Sequence, residues 1–156
     1  MTMKYNAIRK THWSAQKKKL KKEFGIDFKN SPYTFFKAAI YIEFSAIIVF
    51  FLQSSSISPN TITSFYALLG IIGGFFIASN DQNLIVFGLL IFFFKGILDW
   101  SDGLLARLNG STTELGGLLD DWAGYIGQLS FWIGFGFYVF NETAKSFLIY
   151  LIFKYS

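Results

Sequence analysis

An all-α, polytopic membrane fold with a basic amino-terminal arm is predicted by three features of this 156-residue chain. Hydrophobic residues make up 53% of it and charged residues only 15%, against roughly 25% charged in soluble domains. Apolar runs recur at lengths that match a hydrocarbon core, separated by short polar turns. The basic residues are uneven: Lys4, Arg9, Lys10, Lys17, Lys18, Lys19, Lys21, Lys22, Lys29 and Lys37 all precede residue 38, opposed there only by Glu23 and Asp27. The net charge of +4 is therefore a property of the arm. With no cysteine there is no disulfide framework, thiolate zinc site or cysteine nucleophile, and the single His12 excludes a histidine-rich metal site. Any metal here must be held by oxygen.

The arm covers residues 1–31. Trp13, Leu20, Phe24 and Phe28 stand among lysines and predict a short helix on lipid headgroups over residues 12–29, ended by Pro32. Beside apolar spans, such an arm reads as a cytoplasmic segment on anionic lipid, not as a nucleic-acid binder; a solubilising tail is the alternative. No cleavable leader is expected, because no small-residue cleavage pattern follows the first apolar run. His12 lies among basic residues and is expected to be an exposed side chain.

Residues 32–156 form the transmembrane part. The run 35–52 is apolar except for Lys37, Glu43 and Ser45, but Thr34, Lys37, Tyr41 and Ser45 form one polar stripe, so an interfacial or re-entrant helix is expected. Glu43, nearly opposite that stripe, is expected to pair with another helix or subunit or to reach the interface. Ser58-Pro59-Asn60 closes a polar turn, and crossings are expected at about 62–78, 84–106 and 115–140, with a polar loop at 79–83 and a break at Asn109-Gly110. A partial span at 146–154 holds an apolar run of seven to eight residues that reaches only about 12 Å, so the chain is read as ending inside a helix. The phenylalanines are read as lipid-facing, and Gly134 and Gly136 as helix-packing positions.

Acidic residues gather where they are costly. Asp99, Asp102, Gly103 and Ala106 fall at i, i+3, i+4 and i+7 of one helix, and Gly116, Gly117, Asp120, Gly124 and Gly127 make a similar stripe on the next, with Asp121 turned about 100° away. Small residues allow close approach, which would bring Asp99, Asp102 and Asp120 together. Their repulsion calls for positive charge, either from Lys95 and Arg107 or from a hard divalent cation such as Mg²⁺. Ion pairs that merely fix helix register are the alternative.

Asp99-x-x-Asp102-Gly103-x-x-Ala106-Arg107, eight residues, then Gly116-x-x-x-Asp120 resembles the signature of the CDP-alcohol phosphotransferase (CDP-alcohol phosphatidyltransferase) family of membrane enzymes. Pro59-Asn60-x-x-Thr63 resembles the segment that opens that family's first transmembrane helix, and the resemblance covers residues 33–140. Family members usually have six spanning helices, so on this comparison the chain is expected to be truncated at its carboxyl end, or its last segment to dock on a partner chain. The resemblance implies two divalent ions, Mg²⁺ or Mn²⁺, held by Asp99, Asp102 and Asp120, with Asn60, Thr63, Gly103, Ala106, Arg107 and Gly116 around the substrate. The family's last aspartate, the general base, would fall at Gly124; Asp121 is a weak substitute.

The function implied is a membrane phosphotransferase of phospholipid synthesis, moving a phosphatidyl-type group from a CDP-alcohol such as CDP-diacylglycerol to a hydroxyl acceptor with release of CMP. The expected partners are those substrates and anionic lipids, with a homodimer as a further candidate, and the active face and amino terminus are expected to be cytoplasmic. A catalytically impaired homologue acting as a CDP-alcohol- or metal-binding scaffold subunit is the alternative. A divalent-cation transporter ranks lower, because no further intramembrane acid continues a path across the helix expected at 115–140.

Overall fold

The computed structural model describes residues 3–25, 27, 31–79 and 81–155; Phe28, Lys29 and Asn80 lie outside the described residues. The described chain is all helical: α1 (Tyr5–Phe24), α2 (Pro32–Leu52), α3 (Pro59–Ile77), α4 (Gln82–Leu108) and α5 (Glu114–Tyr155). It forms two compact units, one of Met1–Thr63 with Gly96–Asp120, the other of Ser64–Lys95 with Asp121–Ser156.

In the first unit α1 runs antiparallel to α2. The pairs fall in reverse order along the two helices: Met3 N–H donates to Gln53 Oε1 (2.8 Å), Tyr5 meets Phe50, Arg9 meets Glu43, and Trp13 meets Phe35. Glu43 pairs with another helix, as one expected alternative had it. It accepts from Arg9 Nε at 2.6 Å, Tyr5 Oη at 3.0 Å and Trp13 Nε1 at 3.2 Å, so one carboxylate ties three turns of α1 to α2. α1 starts earlier than the arm pattern predicts and ends at Gly25, not near Pro32. The left-handed φ of 64° at Gly25, easy only for a residue without Cβ, lets its N–H reach Leu20 O.

His12 is a correction: it is fully buried rather than exposed. Ile8 and His12, one turn apart, turn inward. Ile8 joins Ala46, Val49, Ile62, Leu104 and Leu105 in the core of this unit. His12 Nδ1 lies 3.0 Å from Ser45 Oγ, Nε2 lies 3.3 Å from Gln16 Nε2, and the ring lies against Trp100. Burial, with the nearby Arg107 charge as a second cause, pulls the imidazole down to about 4. Because this lies below the unfolded value of about 6.5, stability from the neutral ring is complete above about pH 6.5 and falls as the pH drops toward the folded value. Acidification from neutrality to about pH 5 is therefore expected to speed tryptic cleavage in the Lys17–Lys22 stretch, measured against a reference peptide, and His12→Phe should abolish the effect. A cleavage rate independent of pH in the wild-type chain would show that His12 does not control this contact.

The second unit is built on close backbone approach. A Cβ on Gly74 would stand 2.5 Å from Ser130 O, one on Gly134 would strike Gly74 O, and one on Gly88 would stand 2.8 Å from Gly73 O. Each contact exists only because these positions have no side chain. Gly136 corrects the expectation for its pair, since a Cβ there would meet nothing within 4 Å. Gly70 and Gly127 make the space filled by the Lys95 stem, and the Lys95 ammonium stands 4.6 Å from the Tyr66 ring centroid. Phenylalanines such as Phe75, Phe87, Phe137 and Phe140 point outward, as a lipid-facing surface requires.

α2, α3 and α4 are long and apolar enough to cross a membrane. Among the described residues α5, expected to cross at 115–140, is not one of them, because Asp120, Asp121, Gln128 and the glycines dilute the apolar residues of that stretch. It also corrects the expected interruption before residue 146, running unbroken for 42 residues. Asn141–Ser146 holds neither Pro nor Gly, and its polar groups serve the helix: Lys145 pairs with Glu142 at 2.6 Å, while Thr143 and Ser146 donate to the carbonyls of Val139 and Glu142.

Candidate active site

Three helix ends of the first unit build one cavity of about 360 Å³. The start of α3 supplies Ser58, Pro59, Asn60 and Thr63. Ser58 Oγ accepts from Thr61 N–H at 3.2 Å, and Pro59 occupies the first helical position, where a missing N–H is harmless. One turn on, the Thr63 hydroxyl donates to Asp102 Oδ2. The last two turns of α4 supply Asp102, Gly103, Ala106 and Arg107. Asp102 is 3% exposed, and its Oδ1 accepts from Gly103 N–H. Arg107 folds back over Gly103, where an added Cβ would stand 3.3 Å from Nη1. α4 stops as expected at Asn109-Gly110, where Gly110 takes a φ of 63° and Ser111 N–H returns to Ala106 O at 3.0 Å.

The loop and first turns of α5 supply Ser111, Thr112, Thr113, Gly116, Gly117 and Asp120. Thr113 Oγ1 accepts from Gly116 N–H at 3.0 Å and so caps the helix. A Cβ on Gly116 would stand 3.3 Å from Asn60 Oδ1, so that glycine lets α3 and α5 begin side by side.

Eight of the nine predicted binding and metal positions line this cavity: Asn60, Thr63, Asp102, Gly103, Ala106, Arg107, Gly116 and Asp120. Gly117 opens onto space, whereas Gly103 lies under Arg107 and Gly116 lies against Thr113 and Asn60. The loop hydroxyls Ser111, Thr112 and Thr113 were missed; their signal was three hydroxyl residues in a row between the two aspartate stripes. Asp99 does not line the cavity; it is half-buried one turn before Asp102 and has interactions of its own.

The family model of CDP-alcohol phosphatidyltransferase matches residues 56–155, which includes every residue lining the cavity. The chain belongs to the CDP-alcohol phosphatidyltransferase family. No curated protein and no solved structure matches it. Family membership and the three apolar helices make it an integral membrane protein of the transferase type, and α1 and α2 precede the matched segment.

This family typically depends on divalent metal. Among the described residues no three His, Cys, Asp or Glu side chains cluster closely enough to hold an ion. The donor chemistry at Asp102 nevertheless fits one. Its buried carboxylate faces the cavity with a hydroxyl and an amide N–H as hydrogen-bond donors, and among the described residues no cation forms an ion pair with it. A buried charge so placed calls for a cation. Asp120 adds a second carboxylate to the same cavity, and both are hard oxygen donors suited to Mg²⁺. Gly124 and Asp121, the expected base position and its weak substitute, fall in the other unit. A Cβ on Gly124 would meet no heavy atom within 4 Å.

Proposed function

We propose that this chain transfers a phosphatidyl-type group from a CDP-alcohol such as CDP-diacylglycerol to a hydroxyl acceptor, releasing CMP. The observation that carries the reading is the buried Asp102, held by Thr63 and facing a cavity that also contains Arg107 and Asp120. Asp102 and Asp120 would hold divalent metal, Mg²⁺ or Mn²⁺, with Asp99 as the further ligand the family pattern suggests. Such ions, when bound, neutralise the diphosphate and stabilise the departing CMP. Arg107 orients phosphate oxygens, Gly103, Ala106 and Gly116 leave room for the nucleoside, and Asn60 offers it an amide. Thr63 keeps the Asp102 carboxylate turned into the cavity.

Gly124 supports a second reading, a catalytically impaired subunit that binds CDP-alcohol without turnover, because the family's base position carries no side chain. Purified protein with Mg²⁺, labelled CDP-diacylglycerol and a panel of acceptor alcohols separates the two. CMP release with one acceptor is the expected result; nucleotide binding with no release from any acceptor would establish the scaffold reading.

The same proposal requires the cavity to face the cytoplasm, and the α1–α2 pairing supports this. A crossing α2 would carry Arg9 and the lysines of its partner helix, Lys10, Lys17, Lys18, Lys19, Lys21 and Lys22, toward hydrocarbon. Each such charge costs roughly 2.5–3.5 kcal/mol at the centre of a span. A shallow or re-entrant α2 avoids that cost, and α3, α4 and α5 then supply the crossings. Cysteine at Ser111 is expected to react with an impermeant reagent from the cytoplasmic side, and cysteine at the exposed Gln82 from the opposite side. Reversed labelling would overturn both the topology and the substrate assignment.

A further inference from the structure

Ala15, Lys18, Lys19 and Lys22 recur at i, i+3, i+4 and i+7 of α1 and so share one face. That face, with Gln16, lines a second cavity in the first unit, of about 290 Å³, whose remaining wall is Arg107. Four cations surround it and no carboxylate is among its described lining residues. Ala15 keeps the stripe open where a long side chain would fill the space. Four like charges around one concavity repel, and an anion among them removes that repulsion. Ammonium groups on flexible stems beside a planar guanidinium suit tetrahedral phosphate oxygens. Arg107 also lines the Asp102 cavity, so the two cavities share this side chain.

We propose that this cavity binds a phosphate group through Lys18, Lys19, Lys22 and Arg107. The phosphate has two candidate sources, a soluble phosphomonoester or the headgroup of an acidic phospholipid. The first would place a phosphorylated acceptor beside the reaction cavity, and the second would fix the arm on lipid. The proposal does not depend on the transfer reading, since binding is measured without turnover.

The test uses the full chain in neutral detergent and two probes, inorganic phosphate and short-chain phosphatidic acid. K18Q/K19Q/K22Q is expected to weaken binding at least about tenfold. K4Q/K10Q/K17Q removes the same charge from positions that do not line the cavity and should leave affinity within about twofold. Binding of both probes identifies a site for free phosphate; binding of phosphatidic acid alone identifies a lipid site. As a measurement independent of folding in the variants, either bound probe should protect Lys18, Lys19 and Lys22 of the wild-type chain from amine acylation, leaving Lys4 and Lys10 reactive. Absence of binding by both probes, equal weakening by the two triple variants, or uniform protection of all lysines would overturn the proposal.

Discussion

Asp102→Asn is expected to lower CMP release by about three orders of magnitude, roughly 4 kcal/mol of transition-state stabilisation, with little change in fold. The amide oxygen can keep accepting from Gly103 N–H while the amide nitrogen donates to Thr63 Oγ1, whose hydroxyl then donates to Pro59 O, so the contact between α3 and α4 in the first unit persists. What disappears is the fully buried carboxylate of the cavity, and with it most of the attraction for a divalent cation. Initial rates with labelled CDP-diacylglycerol and Mg²⁺, alongside helical content and elution volume, measure the two effects separately. The Mg²⁺ dependence of nucleotide binding should vanish in the same variant, which gives a readout even if turnover of the wild type is slow. Activity within tenfold of wild type in a folded Asp102→Asn protein would remove Asp102 from the reaction. Thr63→Ala should act in the same direction but more weakly, since it removes one hydrogen bond, worth about 1.5–3 kcal/mol when the acceptor is charged.

Gly124→Asp is expected to raise turnover by about 10²-fold, the lower end of what a positioned carboxylate base contributes. The substitution restores an aspartate four residues after Asp120, and open space around Gly124 accepts the side chain without displacing a neighbour. Glycine within a helix is also the costlier residue for the backbone, so stability should not suffer. Pre-steady-state release of CMP, compared with acceptor affinity, distinguishes faster chemistry from tighter binding. A variant that folds and binds CDP-diacylglycerol but shows no gain would assign the base to Asp121 or to another group.

Much of the site was legible beforehand because helical spacing is a rigid ruler. Asp102, Gly103 and Ala106 share a face whatever surrounds them, and so do Gly116 and Asp120. The same ruler put Asp99 with them, but sharing a helical face does not ensure sharing a cavity. Asp99 sits three residues earlier on α4, about 4.5 Å along the axis by the helix rise, and does not line the cavity. The hydroxyl loop 111–113 was passed over for the opposite reason. Loop residues follow no periodicity, so nothing in their spacing places them at the cavity that they line.

Sequence by itself determined the helical membrane class, the α4 break at Asn109-Gly110 and the shared faces of Asp102, Gly103 and Ala106 on α4 and of Gly116 and Asp120 on α5, because apolar run length, backbone-breaking residues and the 3.6-residue period act within one segment; Asn60, Thr63 and Arg107 were implied only by the family resemblance. Tertiary structure alone decided what each face meets. The lysine-rich α1 gives no local sign that Ile8 and His12 are covered while Lys18, Lys19 and Lys22 line a cavity, since all lie on a helix that is polar nearly all round. Glu43 likewise became the anchor of α1 only when folding brought Tyr5, Arg9 and Trp13 to one carboxylate. A helical period fixes which residues share a side, but burial and charge pairing depend on the partner across the gap, and that partner is distant in the chain.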